Sequence, residues 1–253
     1  MSQEKIEIIR NKFKNASIEE LPELMGIYHE DGRVGVGKIL ERAQKKLDIY
    51  NKELDRVQSM LSYERQYGEY GVICGIDEAG RGPLAGPVVA GAVVLPKGSC
   101  ILYINDSKKL SAKKREELFD IIKEEAVSVG IGMASPERID EINILQATYE
   151  AMRQAIANLS VKPELLLNDA VMIPGVDIKQ VPIIKGDAKS ISIGAASIMA
   201  KVYRDHMMEE YDKVFPGYDF ASNKGYGSKE HIEALHRLGP CPIHRCSFLK
   251  NIL

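Results

Sequence analysis

Apolar residues at helical spacing dominate the first 68 residues of the chain. Ile6, Ile9 and Phe13 recur at intervals of three and four, which predicts a first amphipathic helix. Ser17 and Glu20 have the spacing of a capping box and predict the start of a second helix. A third helix is predicted by a longer apolar seam: Leu40, Ala43, Leu47, Tyr50, Leu54, Val57 and Leu61. We therefore predict a small helical domain over residues 1–68, whose seam packs either within the domain or on a partner.

From residue 69 onward the pattern changes to short runs rich in β-branched residues, separated by helical stretches. Strands are predicted at 72–76, 88–95, 127–133, 165–168 and 181–184. Ser111, Ser135 and Ser228 have the positions of helix N-caps, and Gly239 that of a helix stop. A further helix is predicted from about residue 189 to 214. This order predicts an α/β domain over residues 69–253, a mixed sheet flanked by helices.

Composition and charge narrow the class of protein without selecting a function. The 253 residues are 45% hydrophobic and 28% charged, as in folded globular proteins. The net charge is −2, so any basic surface is local and a nucleic-acid partner is not excluded. No apolar run approaches the roughly 20 residues of a membrane span, and the N-terminus does not resemble a signal peptide. We expect a soluble, cytoplasmic monomer with four reduced cysteines and no membrane partner.

Three separate segments place carboxylates at or just after the end of an apolar strand. These acids are Asp77 with Glu78, Asp169 and Asp187. Ligands of α/β sheets bind outside the carboxyl ends of the strands, so neighbouring strands would bring all four acids together. Clustered carboxylates repel one another unless cations bind, and oxygen-only ligands favour Mg²⁺ or Mn²⁺. Any one acid alone is more simply a surface charge, but the three segments together favour a metal site.

Other polar residues are candidates for binding a substrate. The first acidic strand runs into the turn Gly80-Arg81-Gly82, whose bare amides could bind a sugar or phosphate, although it is not a P-loop. Tyr226 lies between two glycines at a helix entrance, where it would either stack on a sugar or base or pack internally. Side chains able to grip a phosphate backbone are Asn105, Ser107, Lys108, Lys185, Lys201 and Arg204.

These motifs, in this order, resemble those of the ribonuclease HII family, the type 2 ribonucleases H. They read GIDEAGRGPLAGPVVAGAVVL, NDSKKLS, INILQAT, KGDAKSISIGAASIMAKVYRD, NKGYGSKEH and PIHRCSF, between about residues 72 and 248. The resemblance implies a ribonuclease-H-like fold with an Asp-Glu-Asp-Asp active site at Asp77, Glu78, Asp169 and Asp187. The type 3 enzymes carry Glu as the fourth acid and a different N-terminal domain. The helical N-terminus is similar to the extension of some Gram-positive type 2 members.

The resemblance also implies an activity. The protein is expected to be a metal-dependent endonuclease that cuts the RNA strand of RNA–DNA hybrids. It would also incise DNA duplexes at single embedded ribonucleotides, as in ribonucleotide excision repair, leaving 5′-phosphate and 3′-hydroxyl ends. Two Mg²⁺ or Mn²⁺ ions would act in catalysis. The Gly80–Gly82 turn would read the 2′-hydroxyl, Tyr226 would stack on the neighbouring deoxyribose, and Lys201 with Arg204 would hold the backbone.

Two alternatives stay open from the sequence. The first is a non-catalytic protein that binds RNA–DNA hybrids on the same fold, although all four acids are present. The second concerns the helical N-terminal domain, which would either add substrate contacts or dock a protein partner.

Overall fold

The computed structural model describes residues 4–253, which separate into two compact units between Gln58 and Ser59. The first unit contains the helices α1 (Ile6–Asn15), α2 (Leu21–Tyr28) and most of α3 (Val34–Met60). The capping box forms: the Ser17 N–H donates to the Glu20 carboxylate at 2.7 Å, and the Glu20 N–H donates to the Ser17 hydroxyl at 3.3 Å. Helix α2 itself begins one residue after Glu20.

The core of the first unit lies between α1, α2 and the N-terminal part of α3. Its buried residues include Ile9, Phe13, Leu21, Val36 and Ile39. In the predicted seam, Ala43 and Val57 of α3 and Leu61 just after it are buried, and the other four positions are half-buried. The buried face of α3 thus begins earlier than the seam predicted, because Val36 and Ile39 join it.

The second unit is built on a five-stranded sheet in the order β3-β2-β1-β4-β5. The strands are β1 (Ile73–Ala79), β2 (Val88–Val94), β3 (Ser128–Ala134), β4 (Leu165–Asp169) and β5 (Lys179–Ile183). The helices are α4 (Ser62–Gln66), α5 (Ala112–Glu125), α6 (Pro136–Ile142), α7 (Ile144–Ala157), α8 (Ile191–Val214), α9 (Phe220–Asn223), α10 (Lys229–Leu238) and α11 (Cys246–Leu249). The neighbouring pairs β1–β2 and β2–β3 are antiparallel, whereas the pairs β1–β4 and β4–β5 are parallel. The predicted mixed sheet with flanking helices is confirmed.

Local signals in the sequence set several helix ends as predicted. The side chains of Ser111, Ser135 and Ser228 each accept an N–H from the first turn of α5, α6 and α10. Helix α10 ends before Gly239, whose φ of 74° suits a residue without a side chain. Helices α3 and α8 have 27 and 24 residues. Within residues 4–253, no helix combines the length and apolar character needed to cross a bilayer.

Residues 59–68, which the sequence pattern groups with the N-terminal helices, pack in the second unit. Tyr63 and Tyr67 pack against the buried cluster formed by Leu165, Leu167, Ile183 and Ile193. The Ser190 hydroxyl donates to the Glu64 carboxylate at 2.6 Å. The compact first unit therefore ends earlier than the predicted boundary at residue 68.

Helix α8 approaches the sheet at backbone distance because β1 and β2 carry glycines opposite it. A Cβ built on Gly75 would lie 2.1 Å from the carbonyl carbon of Ser192, and one on Gly91 would lie 2.5 Å from the carbonyl oxygen of Ala196. Helix α7 covers the other face of the sheet, where Cys74 and Ile76 are buried. Since only glycine permits such close packing, these residues position the first turns of α8 beside the carboxyl end of β1.

Candidate active site

The three acidic segments meet at one edge of the sheet. The parallel register of β1 and β4 places Asp77 and Asp169 at the same level on adjacent strands. Asp187 follows β5 in a 3₁₀ turn, Gly186–Ala188. This turn is tied to β4, because the Gly186 N–H donates to the Asp169 carboxylate at 2.7 Å. Asp77 and Glu78 lie within β1 rather than after it, since the strand continues to residue 79.

Asp77 is the most buried of the four acids, with 5% of its surface exposed. Burial raises its pKa well above the usual range, and the nearby charges of Glu78 and Asp169 raise it further. A hydrogen bond with the Ser197 hydroxyl and one from the Glu78 N–H, 2.7 Å long, act in the opposite direction. The Ser197 hydroxyl is also 3.0 Å from the Ser107 hydroxyl, so α8 holds Asp77 through a small polar network.

Burial and neighbouring charges also shift the pKa values of Glu78 and Asp187. Burial raises the pKa of Glu78, partly offset by Arg81, whose guanidinium lies 3.3 Å from the carboxylate. Burial also raises the pKa of Asp187, and the charges of Asp106 and Asp169 add to the effect. The ammonium of Lys108 lowers the pKa of both Glu78 and Asp187. The sequence reasoning had named Lys108 but missed Ser197, a polar residue in an otherwise apolar helical stretch.

The chemistry of this cluster fits hard divalent cations. Its donors are carboxylate oxygens, and their mutual repulsion falls when a cation binds between them. Across residues 4–253, however, no group of three or more His, Cys, Asp or Glu side chains is arranged to hold an ion unaided. The donor set of Asp77, Glu78, Asp169 and Asp187 fits Mg²⁺ or Mn²⁺ by its chemistry, because all of its side-chain donors are oxygen atoms.

An open cleft beside Glu78 brings most of the predicted substrate-binding residues together. It encloses about 810 Å³ of space, its open mouth included. Its walls include Gly80, Arg81, Gly82, Ser107, Lys108, Lys201 and Tyr226. Tyr226 is 44% exposed, and its ring is 3.9 Å from the point where a Cβ on Gly82 would lie. The glycine turn and the tyrosine thus form adjacent parts of one surface next to the acids.

Arg204 was wrongly predicted as a phosphate contact. The side chain is 1% exposed, although Lys201 one turn earlier does reach the cleft. Its guanidinium donates to three backbone carbonyl oxygens, those of Ala85, Pro87 and Lys224, at 2.8 to 2.9 Å. Because every side of the guanidinium is used inside the protein, Arg204 supports the fold beneath the turn and does not face a substrate.

Three further residues predicted to contact the substrate differ in whether they line the cleft and whether they already have partners. Lys201 lines the cleft, but its ammonium is 2.6 Å from Asp205, and burial lowers its pKa. Asn105 is half-buried and does not line the cleft. Its side-chain oxygen accepts the Asp106 N–H at 2.9 Å. Lys185 is exposed in a left-handed conformation, with a φ of 58°, and also lies outside the cleft lining.

A second buried arginine, which the sequence reasoning did not single out, sets the orientation of the glycine turn. Arg245 is fully buried and donates to the carbonyl oxygens of Gly80 at 2.6 Å, Arg81 at 3.0 Å and Gly86 at 2.7 Å. Burial, and then the charge of Arg204, lower its pKa to about 9. In a trans peptide the N–H points away from the preceding C=O. The N–H groups of Arg81 and Gly82 therefore point away from Arg245.

A buried chain of hydrogen bonds holds the backbone at Tyr226. The Cys241 N–H donates to His244 Nδ1 at 2.9 Å, and the Nε2 atoms of His244 and His231 are 3.0 Å apart. His231 Nδ1 is 2.8 Å from the Tyr226 carbonyl oxygen, which can only accept. The chain is complete when His231 carries its proton on Nδ1 and His244 on Nε2, so both rings are neutral. Burial lowers the pKa of both rings, that of His244 to about 4.

Acid should weaken this part of the fold. A histidine whose pKa is lowered by folding stabilises the protein at pH values above its unfolded-state pKa of about 6.5. This contribution is lost as the pH falls towards the folded-state pKa of about 4. At about pH 5 the loss from His244 is up to about 2 kcal/mol. We expect His244→Gln to shrink the difference in Tm between about pH 7.5 and about pH 5, relative to the unmodified protein. His206, exposed beside Glu116, supplies the control His206→Gln. An unchanged pH dependence in His244→Gln contradicts this assignment.

The fold and the acidic cleft define a ribonuclease-H-like enzyme. Two solved structures share the architecture. Ribonuclease HII of Archaeoglobus fulgidus, solved in complex with PCNA, is 30% identical with a TM-score of 0.57 and covers 69% of this chain and 94% of that chain. Ribonuclease H2 of Pyrococcus horikoshii OT3 is 28% identical with a TM-score of 0.56 and covers 70% of this chain and 93% of that chain.

Sequence comparison names the family. The model of ribonuclease HII matches residues 74–251, and that of the ribonuclease HII N-terminal domain matches residues 5–68. Ribonuclease HII of Lachnoclostridium phytofermentans is 67% identical over 225 residues, 89% of each chain. That of Clostridioides difficile is 51% identical over 255 residues and covers both chains completely. The chain belongs to the ribonuclease HII family of metal-dependent endoribonucleases that act on RNA–DNA hybrids.

Proposed function

We propose that this enzyme, besides cleaving the RNA strand of hybrids, incises DNA duplexes at single embedded ribonucleotides. The products would carry 5′-phosphate and 3′-hydroxyl ends, as ribonucleotide excision repair requires. One observation carries the proposal: the cleft holds the Gly80–Gly82 turn and the exposed Tyr226 directly beside Glu78. A site that recognises a ribonucleotide next to its catalytic acids needs no long hybrid to find its target.

The glycine turn is suited to reading a 2′-hydroxyl. Arg245 draws the carbonyl oxygens of Gly80 and Arg81 inward, which leaves the N–H groups of Arg81 and Gly82 to face the other way. A 2′-hydroxyl offers an acceptor for such N–H groups, and deoxyribose offers none there. Tyr226, exposed next to Gly82, would stack on the sugar of the neighbouring deoxynucleotide.

Asp77, Glu78, Asp169 and Asp187 are the residues that would hold divalent cations. Two Mg²⁺ or Mn²⁺ ions bound there would supply an activated water and stabilisation of the leaving oxygen. Ser197 keeps the Asp77 carboxylate in place through its hydroxyl, and the ammonium of Lys108 reduces the repulsion between Glu78 and Asp187. The ions would lower the pKa of a bound water, so the reaction would not depend on a general-base side chain.

Cleavage-site mapping tests this proposal. The substrates are a DNA duplex with one ribonucleotide, an RNA–DNA hybrid and an all-DNA duplex, each assayed with Mg²⁺, Mn²⁺ or a chelator. We expect a single incision at the ribonucleotide, cleavage of the hybrid, an intact all-DNA duplex and no reaction with chelator. Cleavage of the hybrid alone would reject the proposed incision at single ribonucleotides. Binding of both substrates without cleavage under any metal condition would favour the non-catalytic alternative.

A further inference from the structure

A groove on the first unit, between α1 and α3, is lined by charges of one sign. Arg10 and Lys14 of α1 lie on one side, and Arg42 and Lys46 of α3 lie on the other. The floor is apolar and consists of Phe13, Leu21, Ile39 and Ala43. The groove encloses about 700 Å³ of space, its open side included. No acidic residue contributes to its lining.

This concentration of positive charge does not come from the composition of the unit. Residues 1–58 contain equal numbers of basic and acidic residues. Some of the acids pair with basic residues outside the groove, as Glu4 does with Lys12 at 2.8 Å and Asp31 with Arg33 at 2.6 Å. A separate hollow against α2 carries Glu20 and Glu23 together with Lys12, which is itself paired with Glu4. The fold therefore segregates charge, with the basic groove as its positive side.

The four groove cations are available to a ligand. All four side chains are exposed, and within residues 4–253 none of them makes an ion pair or a side-chain hydrogen bond. Arg10 and Lys14 are four residues apart on their helix, as are Arg42 and Lys46 on theirs. Four residues of helix rise about 6 Å, so each helix presents two charges along the groove.

We infer that this groove binds the phosphate backbone of the nucleic-acid substrate outside the catalytic cleft. The inference rests on the proposed function, because it takes the duplex cut by this enzyme as the ligand. Two rows of cations over an apolar floor neutralise phosphates and read no bases, which is the pattern of contacts that position a protein on a duplex. An acidic protein segment is the competing occupant, and the experiment separates it from nucleic acid.

The test measures binding of the full chain to an RNA–DNA hybrid over about 50 to 300 mM salt. All proteins carry Asp77→Asn, so that the hybrid stays intact. The variant Arg42→Ala/Lys46→Ala removes one row of the groove. Lys38→Ala/Lys45→Ala is the matched control, since it removes two exposed charges from the same helix outside the groove. Tm values check that each variant is folded, and Arg10→Ala/Lys14→Ala repeats the test on the other side.

Each lost phosphate contact reduces the magnitude of the slope of log K against log salt by about 0.9. We therefore expect the slope of the Arg42→Ala/Lys46→Ala variant to be about 1.8 smaller in magnitude than that of the parent. At about 0.1 M salt this corresponds to at least tenfold weaker binding. We expect the control to stay within about twofold of the parent. Equal losses in both double variants would mean general electrostatic attraction and overturn the inference. Unchanged binding in both groove variants would also overturn it and favour an acidic protein segment. Incision of the single-ribonucleotide duplex by the unmodified chain is measured separately, so a failure of the proposed function is distinguished from a failure of the groove to bind the hybrid.

Discussion

Asp77→Asn should abolish cleavage of both substrates while hybrid binding is retained. The amide keeps the size of the side chain but removes the negative charge that cation binding needs. Metal ions contribute several kcal/mol of transition-state stabilisation, so the loss of their ligand should lower kcat by roughly a thousandfold or more. We expect substrate binding to depend on the glycine turn, the tyrosine and the basic residues of the cleft, which this change leaves in place. Single-turnover cleavage and hybrid affinity, measured with Mg²⁺, separate the two effects.

The same substitution should stabilise the metal-free protein. The Asp77 carboxyl has its pKa raised by burial and by Glu78 and Asp169. A group with a raised pKa contributes stability at acidic pH that is lost as the pH rises through its folded-state pKa. At neutral pH the buried charge therefore destabilises the apo protein, and asparagine removes this cost. We expect a Tm higher by about 4 °C or more at neutral pH with chelator present.

Asp177, exposed on the surface, supplies the control Asp177→Asn, which should change neither activity nor Tm. Mg²⁺ should raise the Tm of the unmodified protein and of the control, and should raise that of Asp77→Asn less. Full cleavage by Asp77→Asn would remove Asp77 from the active site. A lower Tm in the apo variant would contradict the electrostatic account while leaving the catalytic role open.

Gly80→Ala should damage the fold, whereas Gly82→Ala should not. Gly80 has a φ of 92°, which a side chain disfavours. A Cβ there would lie 2.1 Å from Arg204 Nε and 2.8 Å from the Pro87 carbonyl oxygen, and the buried guanidinium is held by three carbonyls. Relief of this clash requires breaking those hydrogen bonds, at about 3 kcal/mol or more. For a domain of this size we expect a Tm lower by about 6 to 12 °C.

At Gly82 the nearest contact of a Cβ would be the Tyr226 ring at 3.9 Å, and the backbone does not require glycine. We expect Gly82→Ala to keep its Tm within about 2 °C, because exposed substitutions usually change stability by less than about 0.5 kcal/mol. Any loss of cleavage in Gly82→Ala then reports the close approach of the substrate rather than misfolding. Thermal unfolding and cleavage of the single-ribonucleotide duplex measure both. Equal Tm values for the two variants would disprove the packing described for Gly80.

The local elements were predictable because their signals are local. The serine caps at Ser111, Ser135 and Ser228 satisfy N–H groups within three residues, so the chain itself specifies where α5, α6 and α10 begin. The β-branched runs likewise placed all five strands to within a few residues. The order of the strands in the sheet could not be predicted from these local signals. The adjacency of β1 and β4 joins segments about 90 residues apart, so no local pattern specifies it.

The burial of Arg204 could not be predicted from the local sequence. Its spacing from Lys201 placed both on one helix face, and the pattern could not tell which cation meets solvent. Two of the three carbonyls that bind Arg204 belong to residues more than a hundred positions earlier, and the third belongs to Lys224, beyond the end of α8, so the sequence of α8 itself does not reveal this burial. The same holds for Arg245, whose partners lie about 160 positions earlier. The spacing of His231 and His244 in the sequence matches no known motif. Their role in the hydrogen-bond chain to the Tyr226 backbone is visible only because the two rings are in contact in the fold.

The sequence by itself determined the helical and α/β domain types, the strands, several helix ends and the family that the motifs resemble, because residue order and short-range spacing encode these features. Tertiary structure alone decided which residues face the cleft, since this depends on contacts between distant segments. It brought the glycine turn and Tyr226 beside Glu78, placed Arg204 and Arg245 beneath the turn, and gathered Arg10, Lys14, Arg42 and Lys46 into one groove. The physical reason is that burial and charge clustering depend on how the chain packs, which no single stretch of sequence records.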